Sequence, residues 1–143
     1  MDYRKLPHGG EAISILGLGT SSIGMAGDKE IEATMTMALE NGVNYFDMAS
    51  ADAAPFSAFG RALAGKRKDV YFQIHFGADY QTGKYGWTTD LDSIKRSIDW
   101  QLNALKTDYI DFGFLHCLDE VDDLQQVWEG GILAYVLKLK QEG

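Results

Sequence analysis

Four times along this chain of 143 residues, an apolar run of β-type residues is followed by a stretch with helical periodicity. That alternation constrains the fold more than any other feature. A strand that returns through a helix comes back parallel to its predecessor, so the pattern predicts a parallel sheet with helices on its face. The crossovers are right-handed, because only that hand packs a twisted strand against its helix. The four runs are Gly17-Leu18-Gly19-Thr20, Val43–Met48, Val70–Phe76 and Tyr109–Leu115, the last apolar enough to predict a buried strand.

The intervening segments follow the same logic. Asp28 reads as the N-cap of a helix in which Ile31, Met35, Ala38 and Leu39 share one face and which Gly42 ends. A short helix is expected over Phe56–Leu63, then a turn at Lys66-Arg67-Lys68. Thr89 or Asp90 caps a longer helix that turns Leu91, Ile94, Ile98, Leu102 and Leu105 inward. Gly130-Gly131 breaks a last helical region running from Val121 to Glu142. Before all of these, Pro7, Gly9 and Gly10 separate Met1–Leu6 from Ala12–Leu16, which is a hairpin signature. With no low-complexity tract and no internal linker, residues 1–143 read as one unit: a β-hairpin over 1–16 and four βα units over 17–143. Pattern alone leaves two architectures open, an open doubly wound sheet and a (β/α)8 barrel. A complete barrel takes roughly 250 residues, so on the second reading the chain supplies an N-terminal half.

Composition excludes some partners. A formal charge of −8 repels nucleic acid and anionic membranes. The opening residues lack an apolar signal core, and Ile132–Leu139 is interrupted by Lys138 and too short to span a bilayer. Cys117 is the only cysteine, which excludes an internal disulfide and fits a reducing cytoplasm.

In parallel α/β sheets, ligands bind at the carboxyl ends of the strands. The polar residues at those ends are Thr20, Asp47, His75 and His116, with Asp52 in the loop after the second strand. Taken singly, Asp47 reads as a strand-end tether and His75 as a barrel-interior histidine; their recurrence at matching strand ends favours a site. Two histidines and two carboxylates also suit zinc or iron, although no HxH or HxxE pair supports that reading. The loop 78–89 overlooks the same end, so Tyr80, Tyr85 and Trp87 are candidates for an apolar substrate wall, with Tyr80 a candidate hydroxyl donor. Cys117 is expected to face the helix layer and His8 the solvent. Trp100, Trp128 and the methionines of the first helix are assigned to packing.

Longer motifs narrow the choice. The run Asn44-Tyr45-Phe46-Asp47-Met48-Ala49, followed by Phe59-Gly60-Arg61-Ala62-Leu63, resembles the second strand, loop and second helix of the aldo/keto reductases, with their FDTA, Tyr-Gly and LGxAL pattern. The opening, of the form MxYRxLPxxGxxIS, and Gly17-Leu18-Gly19-Thr20 extend the resemblance along essentially the whole chain. It implies the barrel, and a reaction in which hydride passes between NADP(H) and a small carbonyl or alcohol substrate while a tyrosine protonates the oxygen. It matches Asp47 and His116 to the family's catalytic aspartate and histidine. His75 stands where the family has lysine, and Asp52 where it has the tyrosine. An ionised aspartate cannot donate a proton at pH 7, and losing general acid catalysis typically costs about two to four decades in rate.

Two readings follow: an oxidoreductase with an altered proton donor, in which an imidazolium at His75 is the substitute acid, or a catalytically silent barrel that binds a ligand or regulates. Gly17-Leu18-Gly19-Thr20 lacks the third glycine and the distant acidic residue of a dinucleotide fingerprint. In the family this strand lies beneath the nicotinamide and the phosphate-binding segment comes late in the chain. Gly19 and Thr20 are therefore the expected cofactor contacts, with weak binding by these residues alone. The first and fourth strands of a half-barrel would be bare edges, so self-association is expected.

Overall fold

The computed structural model describes residues 1–143. Strands β1 (Tyr3–Lys5) and β2 (Ala12–Ser14) pair antiparallel with Tyr3 opposite Ser14, forming the N-terminal hairpin. Four further strands, β3 (Leu18–Gly19), β4 (Tyr45–Asp47), β5 (Tyr71–Phe76) and β8 (Phe112–Leu115), make one parallel sheet in the order β3-β4-β5-β8. Helices α1 (Asp28–Glu40), α2 (Ala54–Ala62) and α3 (Leu91–Leu105) form the crossovers, and α4 (Val121–Glu129) and α5 (Ile132–Glu142) follow β8. Strands lie next to their sequence neighbours throughout, which is the running order of a (β/α)8 barrel. No helix is long and apolar enough to cross a membrane.

Side chains alternate across a strand, and β5 shows the consequence. Phe72, Ile74 and Phe76 join the core under the helices, while Gln73 and His75 share the opposite face. Phe46 and Phe59 meet edge-to-face at 5.6 Å, and with Ile31, Met35 and Phe72 they are fully buried. Each such side chain contributes about 1.5–3 kcal/mol by leaving water. Gly60 lets α2 approach α3 closely, since a Cβ there would lie 3.1 Å from the Leu105 Cα.

Four local expectations are corrected. Gly27, in extended geometry and with no side-chain cap, precedes α1; Asp28 is instead the first helical residue and pairs with Arg61 at 2.6 Å, which also reaches Glu32. By contrast, Asp90 does cap α3, accepting from the Ser93 N–H at 2.8 Å. The segment after β5 is no plain loop: β6 (Ala78–Asp79) and β7 (Gly86–Trp87) form an antiparallel ribbon. Strand β8 is not buried, because it is outermost in the sheet, and Gly113 and Phe114 are exposed. Met37 and Trp128 lie outside the core for the same kind of reason, on helix faces with nothing packed over them (65% and 69% exposed).

The register between β5 and β8 is fixed from below. Arg67, in the 3-10 turn Arg67–Asp69, donates to the Thr107 hydroxyl (2.9 Å), the Val70 and Tyr109 carbonyls (3.0 and 3.1 Å) and the Asp111 carboxylate (2.8 Å). Asp111 in turn accepts from the Phe72 N–H at 2.8 Å. This clamp sits just ahead of the paired stretch in which His75 lies opposite Phe114.

Candidate active site

Parallel pairing in register brings the carboxyl ends of β4, β5 and β8 together, and three of the four expected side chains meet there. His75 Nε2 lies 2.7 Å from Asp47 Oδ1, and His75 Nδ1 lies 3.1 Å from His116 Nδ1. His116 carries the line outward: its Nε2 is 3.0 Å from the Tyr85 hydroxyl. The result is one continuous hydrogen-bonded chain, Asp47–His75–His116–Tyr85, running from a half-exposed carboxylate through the nearly buried His75 to an exposed phenol. Beneath it, Gln73 Nε2 is 3.2 Å from His75 Nε2, and the Tyr45 hydroxyl donates to the Gln73 amide oxygen. Burial, and then Asp47, push the Tyr45 phenol above its usual range.

His75 is nearly buried with both ring nitrogens engaged, so it presents no free N–H to a substrate. Burial, reinforced by the neighbouring His75, lowers the His116 pKa from 6.5, against an opposing pull from Asp47 and Asp119. His116 is therefore neutral at pH 7, with one ring nitrogen to donate and one to accept. Tyr85 is shifted the other way, raised by burial and by the adjacent Cys117 and Asp119.

Asp52 does not join the cluster. Its carboxylate pairs with Lys84, and its backbone bridges to the same residue. Together with Tyr85 N–H to the Ala51 carbonyl (3.0 Å) and Ala53 N–H to the Gly83 carbonyl (3.1 Å), this pins the ribbon tip across the mouth. Gly77 makes the ribbon possible: at φ 105 it adopts a conformation that favours glycine, 3.2 Å from the Thr88 carbonyl on a would-be Cβ.

Three other expectations change. Tyr80 is buried, and its hydroxyl accepts from the Ser50 N–H at 3.1 Å, so Tyr85 and not Tyr80 brings a phenol to the histidines. Cys117 is exposed beside Tyr85, since its backbone turns to φ 50 directly after His116 and swings the side chain away from the helix layer. Thr20 is fully buried with its hydroxyl bonded to the Asp47 carbonyl at 3.0 Å, so it steadies Asp47 and offers no surface to a cofactor. Gly19 is exposed, and nothing lies within 4 Å of where a Cβ would stand. That leaves room for a flat ring against the strand end. No three His, Cys, Asp or Glu side chains are grouped to hold a metal ion.

A concavity of about 490 Å³ lies on the outer flank of β8 between α3 and α5, lined by Phe112, Phe114, Tyr135 and Leu139. None of Asp47, His75, His116 or Tyr85 lines it. Sequence reading assigned Tyr85 only to an apolar wall and overlooked Lys84, Gln73 and Tyr45. A loop tyrosine carries no local sign of where its hydroxyl ends; the ribbon decides that.

Comparison with known proteins agrees with the geometry. The aldo/keto reductase family model matches residues 15–143. The uncharacterized oxidoreductase YqkF of Bacillus subtilis is 32% identical over 150 residues, covering 100% of this chain and 46% of that protein. The crystal structure of PA4992 from Pseudomonas aeruginosa superposes with a TM-score of 0.81 at 28% identity, over 99% of this chain and 56% of that one. An aldo/keto reductase from Klebsiella pneumoniae solved with NADP and acetate shares the fold at 22% identity, with a TM-score of 0.57 over 85% of this chain and 44% of that one. The chain thus spans about half the length of the curated relatives it matches. With a family model over residues 15–143 and the strand order of the barrel in agreement, the chain belongs to the aldo/keto reductase family.

Proposed function

We propose that the full-length protein is an NADP(H)-linked oxidoreductase that interconverts a small carbonyl compound and its alcohol. The observation that carries this is the convergence of Asp47, His75 and His116 at the strand ends, beside an open strand terminus at Gly19. When bound, the nicotinamide supplies or accepts hydride. The chain's own residues handle the proton and the substrate oxygen: Asp47 holds His75 through Nε2, His75 orients His116, and His116 presents its Nε2 edge to the mouth. Gly19 accommodates the ring end of the cofactor. The family resemblance assigns the cofactor's phosphates to a segment later in the sequence than these residues.

Trp87 provides a reporter. Its indole N–H donates to the His116 carbonyl at 3.0 Å, so it stands on the rim of the mouth. Titrating the full-length protein with NADPH should quench Trp87 emission saturably, and Trp87→Phe should remove that component. Loss of NADPH absorbance is then followed with a panel of aldehydes and ketones. The absence of both quenching and turnover would overturn the proposal. Saturable quenching without turnover would assign the protein the alternative role of a ligand-binding barrel, which the pairing of Asp52 with Lys84 at the tyrosine position favours.

A further inference from the structure

Building on that oxidoreductase reading, we infer that Tyr85 is the proton donor to the substrate oxygen and that it is recharged through a two-histidine wire, His75 to His116, anchored on Asp47. The phenol that the family carries after its second strand is missing here, and a phenol from the ribbon after the third strand stands in contact with the family histidine instead.

The geometry fits both ends of one proton cycle. In the loaded state His75 carries two protons, donating from Nε2 to Asp47 (2.7 Å) and from Nδ1 to His116 Nδ1 (3.1 Å). His116 then donates from Nε2 to the Tyr85 oxygen (3.0 Å), which leaves the phenolic hydrogen free for substrate. As the carbonyl carbon takes hydride from a reduced nicotinamide, its oxygen takes the Tyr85 proton. Tyr85 recovers a proton from His116 Nε2, and His116 recovers one at Nδ1 from His75. The products are alcohol, oxidised nicotinamide and a neutral His75, so one proton and one hydride are accounted for. The two hydrogen bonds of the wire then point the other way, Tyr85 donating to His116 and His116 to His75, while His75 Nε2 still donates to Asp47. Oxidation of an alcohol runs the same cycle in reverse.

The surroundings explain why a wire is needed. Tyr85, 41% exposed, keeps its proton more firmly than a free phenol because burial, Cys117 and Asp119 disfavour the phenolate. Such a phenol is a poor acid alone and a good one when a neighbour replaces the proton as it leaves. His116 must be neutral to accept at one nitrogen while donating at the other. Its lowered pKa, caused by burial and by His75 and opposed by Asp47 and Asp119, provides that state. Asp52 contributes indirectly: by holding Lys84, the residue next to Tyr85, it fixes the ribbon that brings the phenol to the mouth.

The test uses full-length protein and Tyr85→Phe, which keeps the ring. Phenylalanine should lower kcat by about two to four decades, with NADPH quenching of Trp87 unchanged. Nitrogen NMR of the imidazoles supplies a second readout independent of turnover: Tyr85→Phe should shift the His116 Nε2 resonance and its titration. A wild-type protein that turns over no carbonyl overturns the oxidoreductase reading, and this inference with it. A wild-type protein that turns over, with Tyr85→Phe equally fast, overturns only the role of Tyr85. A slower variant whose His116 signals do not move overturns the wire.

Discussion

Replacing Arg67 by methionine should unfold the lower rim of the sheet before it touches the mouth, and the size of the effect follows from the contacts. Methionine keeps much of the side-chain length but removes donors to Thr107, Val70, Tyr109 and Asp111, and the guanidinium stacked 3.9 Å from the Tyr109 ring centroid. The Arg67 and Asp111 side chains are only 14% and 16% exposed, so water cannot replace the lost partner. Breaking a buried pair from one side costs about 3–5 kcal/mol. The residual exposure places this case near the lower end, at roughly 3 kcal/mol, or on the order of 10 °C in Tm. Urea unfolding followed by far-UV circular dichroism gives the number. Combining Arg67→Met with Asp111→Asn should recover part of the loss, because asparagine still accepts from the Phe72 N–H without carrying a stranded charge. A single-variant loss below about 1 kcal/mol, or no recovery in the double variant, would refute the argument that this clamp fixes β8 on β5.

Three more expectations rest on other parts of the molecule. His116 binds protons less readily folded than unfolded, so below its unfolded value of 6.5 the unfolded chain takes up more protons; stability should fall as pH drops from 6.5 toward the folded value, with nothing lost above, and urea midpoints identical for wild type and His116→Gln across that window would contradict it. Gly60→Ala should destabilise by about 1–3 kcal/mol through overpacking, since the new methyl meets the Leu105 backbone at 3.0–3.1 Å; a raised Tm would show that α2 and α3 can separate without cost. The outer edges of β3 and β8 lack strand partners, and Phe114 on β8 is 49% exposed, so the 143-residue chain should self-associate with concentration in sedimentation velocity; a monodisperse monomer at every concentration would sink that.

How much was legible beforehand can be judged from individual residues. Asp47, His75 and His116 were readable as strand-end residues because a parallel sheet sends every carboxyl end the same way, and only the period of the pattern is needed to see it. The helices were readable because Ile31, Met35, Ile94 and Ile98 repeat at helical spacing and are in fact buried. For strand β8 the apolar run predicted burial while the count of four strands predicted a bare edge; the count held, because neighbours and not composition decide a strand's exposure. Asp28 misled because a helix start is equally well served by a cap or by an ion pair, and Arg61 is 33 positions away.

The amino-acid sequence alone determined the alternation, the parallel sheet, the family and the three strand-end side chains, because all of these depend on local periodicity or contiguous motifs. The tertiary structure alone decided which phenol reaches the histidines. Tyr80 and Tyr85 are chemically equivalent and five positions apart, yet one is sealed against Ser50 and the other hydrogen-bonded to His116. The difference arises from a bend at Gly77 and a ribbon pinned by Lys84 and Asp52, contacts between segments that no local pattern encodes.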